Sequence, residues 1–291
     1  MIDVHTHLWP ADISPSYMAD YFRSKKEAGQ EIRMTLKEIL CSMDQAGIDR
    51  SIVLALAFGA SVRNEDLRGQ HEYINRLVME SGGRLTAFCT LNPFEENALE
   101  YLEKYLAAPS FHGLKLHPNI QCFYPDDERL FPIYAFLEEH QAPVLFHTGG
   151  IGLKGIRDCY GEPARIDTVA CLYPNLPIIM GHAGRIDYRT TATILRKHPH
   201  VYADISTNFG RIPGGEWRIF RDLLSTVKTW CGTTEKLLFG SDYPFYSQKD
   251  TAAVIRQFLK CRQDHDVLEE SDILGVLSFN ADSFCQKYGI N

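Results

Sequence analysis

A single-domain α/β fold, a (β/α)8 TIM barrel, is the class this sequence predicts, and three features predict it. Eight short apolar segments recur along 291 residues, each followed by a helical or loop-plus-helix stretch. Near-continuous apolar strands with intervening helices belong to a parallel sheet covered on its outer face. Histidines and a carboxylate stand where these segments end, the rim at which such a barrel carries its active site. The competing doubly wound sheet lacks its phosphate fingerprint, because no Gly-x-Gly-x-x-Gly or Gly-x-x-x-x-Gly-Lys-Ser/Thr follows any strand.

Strand one is the opening run Met1-Ile2-Asp3-Val4-His5-Thr6-His7. An irregular polar stretch, about residues 9–34, follows and is long enough to be a lid, with Tyr17, Tyr21 and Phe22 as pocket aromatics. Thr35-Leu36-Lys37-Glu38 reads as a capping box, and Leu36, Ile39, Leu40 and Met43 carry helical spacing up to Gly47. Strand two is Ser51 to Leu56, followed by a helix through His71–Val78 that stops at Gly82-Gly83. Strand three, Leu85 to Leu91, is closed by Asn92-Pro93, and a helix from Glu95 to Leu106 follows. Strand four, Gly113 to His117, precedes a helix from Asp127 to His140, and strand five, Pro143 to His147, precedes one from Ile166 to Leu172. Strand six, Pro177 to His182, leads to helix Thr190 to Lys197, and strand seven, Val201 to Ile205, to helix Trp217 to Trp230. Strand eight is Lys236 to Asp242, and helices Thr251 to Cys261 and Ser271 to Lys287 close the chain. No Pro/Gly/Ser-rich linker divides the series, so residues 1–291 read as one barrel with its lid at about 9–34.

A net charge of -7 and a pI near 5.9 give no electrostatic reason to expect nucleic acid or anionic membrane as a partner. A small-molecule substrate is favoured. No apolar run approaches membrane-spanning length and the first strand leaves no room for a signal peptide, so a soluble, cytoplasmic protein is expected. The eight cysteines form no Cys-x-x-Cys pair and read as reduced thiols, mostly buried. A homo-oligomer is compatible with the sequence, but nothing in it identifies an interface.

The chemistry concentrates at the strand ends. His5 and His7, two apart on an extended strand, share a face. His117, His147, His182 and Asp242 close strands four, five, six and eight. Imidazole and carboxylate without thiolate suit Zn²⁺, Mn²⁺ or Fe²⁺ in a catalytic site with an open position. Such a cation acidifies water, and a carboxylate at its edge can take the proton as hydroxide attacks a carbonyl carbon.

His5-x-His7, His147, Gly181-His182-Ala183-Gly184 and Gly240-Ser241-Asp242-Tyr243-Pro244 resemble the amidohydrolase superfamily. More narrowly, the chain is similar to the amidohydrolase-2 branch of metal-dependent hydrolases and related non-oxidative decarboxylases. Phe279-Asn280-Ala281 is similar to that branch's closing segment. The resemblance implies one divalent cation, Zn²⁺ first and Mn²⁺ second, held by His5, His7, His147 and Asp242. It makes Asp242 also the proton acceptor and His182 an acid/base or electrophile. In binuclear members a strand-four lysine is carboxylated and bridges two metals. Lys115 sits on that strand, yet its pattern resembles that of the mononuclear members.

Lys115 and His117 share a face, so an inward His117 brings Lys115 inward, and a buried ammonium must be modified, ion-paired or in contact with substrate. Arg185 offers a bidentate fork to a substrate carboxylate or phenolate, or else is a surface arginine. Asp204 reads as an acceptor that orients a ligand histidine. Tyr243, Phe245, Tyr246 and Asn208-Phe209 are candidate pocket walls or ordinary loop packing. His71, His112, His140, His198, His200 and His265 are given no chemistry, and Cys89 reads as core.

The leading function is hydrolysis of an ester, lactone or amide carbonyl. The alternative is a lyase that releases carbon dioxide from an aromatic or unsaturated acid, with Arg185, Arg23 or Arg33 beside the departing carboxylate. A metal-binding barrel without turnover is the third reading, and the pairing of Asp242 with His182 counts against it.

Overall fold

In the computed structural model the described residues are 1–11, 13, 23, 26, 27, 32, 34–207, 216–261 and 267–290. Tyr17, Tyr21, Phe22, Arg33, Asn208, Phe209 and His265, and with them most of the expected lid, lie outside the described residues.

Eight parallel strands stand in sequence order in one sheet. They are β1 (Ile2–Thr6), β2 (Arg50–Leu54), β3 (Leu85–Cys89), β4 (Phe111–Leu116), β5 (Val144–His147), β6 (Ile178–Gly181), β7 (Val201–Asp204) and β8 (Leu237–Leu238). Each is followed by a helix: α1 (Leu36–Ala46), α2 (Arg68–Glu80), α3 (Ala98–Leu106), α4 (Phe131–Glu139), α5 (Ala164–Leu172), α6 (Tyr188–Lys197), α7 (Glu216–Cys231) and α8 (Gln248–Cys261). Thr35 caps α1, its Oγ1 accepting from Glu38 N at 3.3 Å, but no return bond from Glu38 completes the expected box. Gly47 ends the helix at φ +72°, a conformation glycine adopts without a Cβ penalty.

β8 is shorter than the predicted Lys236 to Asp242. After Leu238 the chain leaves β7 and pairs with β1: Val4 N donates to Phe239 O at 3.0 Å, Asp242 N to His5 O at 2.8 Å and His7 N to Tyr243 O at 2.7 Å. These bonds join the last strand to the first, so the rim positions of both are fixed by one seam.

Two apolar layers sandwich the sheet. Ile2, Val4, Ile52, Leu54, Phe88, Leu145, Ile179, Tyr202 and Leu238 fill the barrel, with Phe284, Cys285 and Ile290 packed against them. Val53, Ala87, Leu114, Phe146, Met180, Val201 and Leu237 face the helices. The predicted final helix is interrupted, running as α9 (Glu270–Leu274), a π turn (Gly275–Phe279) and α10 (Asn280–Lys287). Asn280 Nδ2 donates to Thr234 O and Leu237 O at 2.9 and 2.8 Å, satisfying carbonyls beside β8.

The cysteines correct one expectation. None is disulfide-bonded, but only Cys89 and Cys285 are buried, while Cys41, Cys122, Cys171 and Cys261 are exposed. Cys41, Cys171 and Cys261 sit on α1, α5 and α8 away from the buried stripe. Burial pushes the Cys89 thiol up to about 12, as a core thiol requires.

His71 on α2 is fully buried, accepts from Thr90 N at 3.0 Å, and has its other ring nitrogen 3.1 Å from Tyr101 OH. Burial lowers its pKa from 6.5 to about 3. The unfolded chain therefore takes a proton on this ring first as pH falls. Its contribution to stability is complete above pH 6.5 and is lost on the way down to about 3. Between pH 7.5 and 5 the expected loss is about 2 kcal/mol. Denaturant unfolding of wild type and His71→Gln at both pH values checks it: the variant should lack that increment, and identical pH dependence would refute the assignment.

Candidate metal centre

The rim geometry starts from an irregularity in β1. Ile2 pairs with Arg50 and Asp3 with Ser51, but Thr6 pairs with Val53, so β1 carries one residue more than β2. Such a bulge inverts the side-chain alternation. Val4 lies inside the barrel, and the bulge brings His5 and then His7 inside as well. Gly240 leaves room for this, because a Cβ there would stand 3.0 Å from His5 Cβ and 3.1 Å from Asp204 Oδ1.

Hydrogen bonds fix the tautomer of each imidazole. His5 Nδ1 donates to Asp204 Oδ2 at 2.8 Å, the orienting contact anticipated for Asp204. His7 Nδ1 donates to Leu54 O at 2.8 Å. Ser206 Oγ donates to the Asp204 carboxylate, so its oxygen accepts from His182 Nδ1 at 2.7 Å. His182 Nε2 is then an acceptor, and His147 Nδ1 donates to it at 3.0 Å. The lone pairs left on this logic are His5 Nε2, His7 Nε2 and His147 Nε2. Those of His5 and His147 are buried with no hydrogen-bond partner among the described residues.

Asp242 Oδ1 lies 3.3 Å from His7 Nε2 and 3.7 Å from His5 Nε2. Burial, ahead of every other influence, lowers the pKa of His7, which is therefore neutral at neutral pH. Three ligand-type atoms, His5 Nε2, His7 Nε2 and Asp242 Oδ1, converge within 4.8 Å of one another. Two imidazole nitrogens and a carboxylate oxygen at that spacing fit a divalent metal. His147 does not fall within the same spacing: its ring is 4.6 Å from that of His182 and stacks on His117 at 4.0 Å.

Burial is also the main cause that holds His117, His147 and His182 well below the ordinary histidine value. Asp204 is held below the usual carboxylate value: burial alone would raise it, and His5, Ser206 and the His182 N–H outweigh that. After β6 the chain turns through His182, Ala183 and Arg185 at φ 62°, 47° and 54°, left-handed values that non-glycine residues seldom hold. Thr148 pins this turn, donating to Gly181 O at 2.6 Å and accepting from Gly184 N at 3.0 Å.

Lys115 faces inward from β4 and is 1% exposed, and its Nζ has no hydrogen-bond partner among the described residues. Burial lowers its pKa to about 8, Asp204 and Asp242 opposing that shift. Arg185 is partly buried: it donates from Nη1 to Gly150 O at 3.0 Å, while its Nε is buried without a partner. His117 Nδ1 is in the same state. Phe245 lies 5.9 Å from both the His7 and the Trp9 rings, and Trp9 lies 5.7 Å from Phe58. Tyr243 instead packs into the layer between sheet and helices.

Sequence reasoning passed over two residues here. Ser206 shares a face with Asp204 by simple alternation and could have been read from it. Asp3 could not, because alternation would put it beside His5 and His7, whereas the bulge turns it to the helix side, against Ser241 and Gln248.

Residues 2–272 match the sequence profile of the family described as amidohydrolase. No curated protein gives a significant match. Among solved structures, the chain resembles 5-carboxyvanillate decarboxylase LigW from Sphingomonas paucimobilis, at 15% identity and TM-score 0.70, with 100% of this chain and 99% of that one covered. It resembles a probable 2-pyrone-4,6-dicarboxylic acid hydrolase from Acinetobacter baumannii, with citric acid bound, at 14% identity and TM-score 0.70, covering 99% and 98%. A dihydroxybenzoic acid decarboxylase from Polaromonas sp. JS666, with bound manganese and the inhibitor 2-nitroresorcinol, aligns at 17% identity and TM-score 0.68, covering 98% and 96%. At these identities the likeness establishes the fold.

Proposed function

The chain belongs to the amidohydrolase family, and on that premise we propose that it is a metal-dependent hydrolase acting on an ester, lactone or amide carbonyl of a small carboxylic acid. The observation that carries the reading is the convergence of His5 Nε2, His7 Nε2 and Asp242 Oδ1 within 4.8 Å of one another. These three would hold the cation, Zn²⁺ or Mn²⁺, with His147 Nε2 as a fourth donor. When bound, such a cation supplies Lewis-acid charge that polarises a carbonyl and makes water easier to deprotonate.

The chain's own residues supply the rest. Asp242 takes the proton of the attacking water. His182 is neutral, with Nδ1–H engaged by Ser206 and Nε2 accepting from His147; in its acid/base role that contact opens and Nε2 relays to the leaving group the proton that Asp242 took from water. Lys115 and Arg185 carry buried donors without partners, and a substrate carboxylate satisfies them.

One observation favours the lyase instead. Phe245 and Trp9 bring aromatic rings beside His7, which suits a planar acid, and two of the three solved structures described above are decarboxylases. A panel of carboxylate-bearing lactones, amides and 2-hydroxybenzoates, incubated in oxygen-18 water with metal-assayed protein, separates the two. Hydrolysis is expected to place one labelled oxygen in the product. Release of carbon dioxide with an unlabelled product would transfer the assignment to the lyase.

A further inference from the structure

Asp3 is fully buried on the helix side of β1, away from every donor proposed to hold the metal. Its two carboxylate oxygens accept four bonds. Oδ1 accepts from His5 N at 3.1 Å and Ser241 N at 3.0 Å. Oδ2 accepts from Ser241 Oγ at 2.6 Å and Gln248 Nε2 at 2.9 Å. Ser241 Oγ in turn accepts from Tyr243 N at 3.1 Å. One side chain thus ties the bulged residue of β1 to the residue before Asp242, and both to the start of α8.

The geometry points to Asp3 as a positioning residue that sets how far His5 and His7 stand from Asp242, and so sets the affinity and coordination geometry of the metal centre. It rests on the metal reading above. The bulge at His5 and the turn at Asp242 are both backbone deviations, with Asp242 at φ 65°, and neither is imposed by residue type. Both have a backbone N–H on Asp3: that of His5 itself, and that of Ser241 next to Asp242. Accepting all four donors takes both oxygens of a carboxylate: the isosteric Asn offers one oxygen and turns an NH2 toward donors it cannot accept from. Groups that orient metal ligands are worth about 10–100-fold in metal affinity when removed.

Titration of the full chain with Co²⁺, read by its visible d–d absorption, tests the assignment without reference to turnover. Wild type is expected to bind one equivalent. Asp3→Asn is expected to bind about tenfold or more weakly, with altered band positions, while keeping the wild-type far-ultraviolet circular dichroism. A folded D3N with wild-type Kd and bands overturns the role. Should D3N not fold, Ser241→Ala removes one of the four donors and is expected to weaken binding severalfold, and wild-type Kd there overturns it equally. Ser51→Ala loosens the same layer, through the 3.3 Å contact of Gln248 Nε2 to Ser51 Oγ, without touching the carboxylate. It is expected to bind as wild type, and a loss equal to that of D3N would assign the effect to general loosening instead. A wild type that binds no Co²⁺ brings down the metal reading itself, and the clamp with it.

Discussion

Asp242→Asn is expected to lower turnover by about a hundred- to ten-thousandfold with metal still bound. The amide is nearly isosteric with the carboxylate and keeps one oxygen at the rim, but it cannot take a proton from water. The same change has a second, opposite effect. In the wild type Asp242 Oδ1 faces the lone pairs of His7 Nε2 at 3.3 Å and His5 Nε2 at 3.7 Å. An Asn Nδ2 offers them a donor, so the metal-free variant should melt at a higher temperature than the metal-free wild type. Turnover at measured metal content, with thermal melts before and after chelation, reads both effects. Full turnover at wild-type metal content would falsify the general-base role of Asp242, and an unchanged metal-free melt would remove the account of converging lone pairs.

Lys115→Met separates binding from stability. Methionine fills a similar volume and removes an ammonium that no hydrogen bond compensates. Burying an ammonium without a compensating hydrogen bond is costly, and an apolar side chain of similar volume avoids that cost. The variant is therefore expected to gain stability while KM for a carboxylate-bearing substrate rises about tenfold or more, the loss expected for one charge-assisted bond. Denaturation midpoints and steady-state kinetics on the same preparations test the pair. A destabilised variant would mean that Lys115 is held by a partner or modification, and an unchanged KM would mean that it does not meet substrate.

The rim residues were legible because each interrupts an apolar strand at its carboxyl end. A histidine following Val-Leu-Phe or Ile-Ile-Met-Gly is a departure that hydrophobic burial does not explain, and four strands show it together, with Asp242 closing a fifth. The topology was legible for a related reason: near-continuous apolar strands separated by amphipathic helices leave few architectures that bury both faces. Boundaries were less legible where pairing changed partner. Nothing in Lys236–Asp242 indicates that hydrogen bonds pass from β7 to β1 after Leu238, since both neighbours are distant in sequence. The exposed cysteines were misread because burial depends on which helix face a residue occupies, and thiols occur on either.

By itself, the sequence determined that eight strands would wind into a barrel and that His5, His7, His117, His147, His182 and Asp242 would meet at one rim, because strand parity and strand ends are local properties of the chain. Only the tertiary structure decided which nitrogen of each ring is engaged by a hydrogen bond, that His147 stands with His117 and His182 rather than within the His5–His7–Asp242 spacing, and that Asp3 faces away from the histidines it precedes. Those outcomes turn on hydrogen bonds between residues up to 245 positions apart and on one inserted residue in β1, whose register is set by pairing with β2 rather than by any residue type in β1 itself.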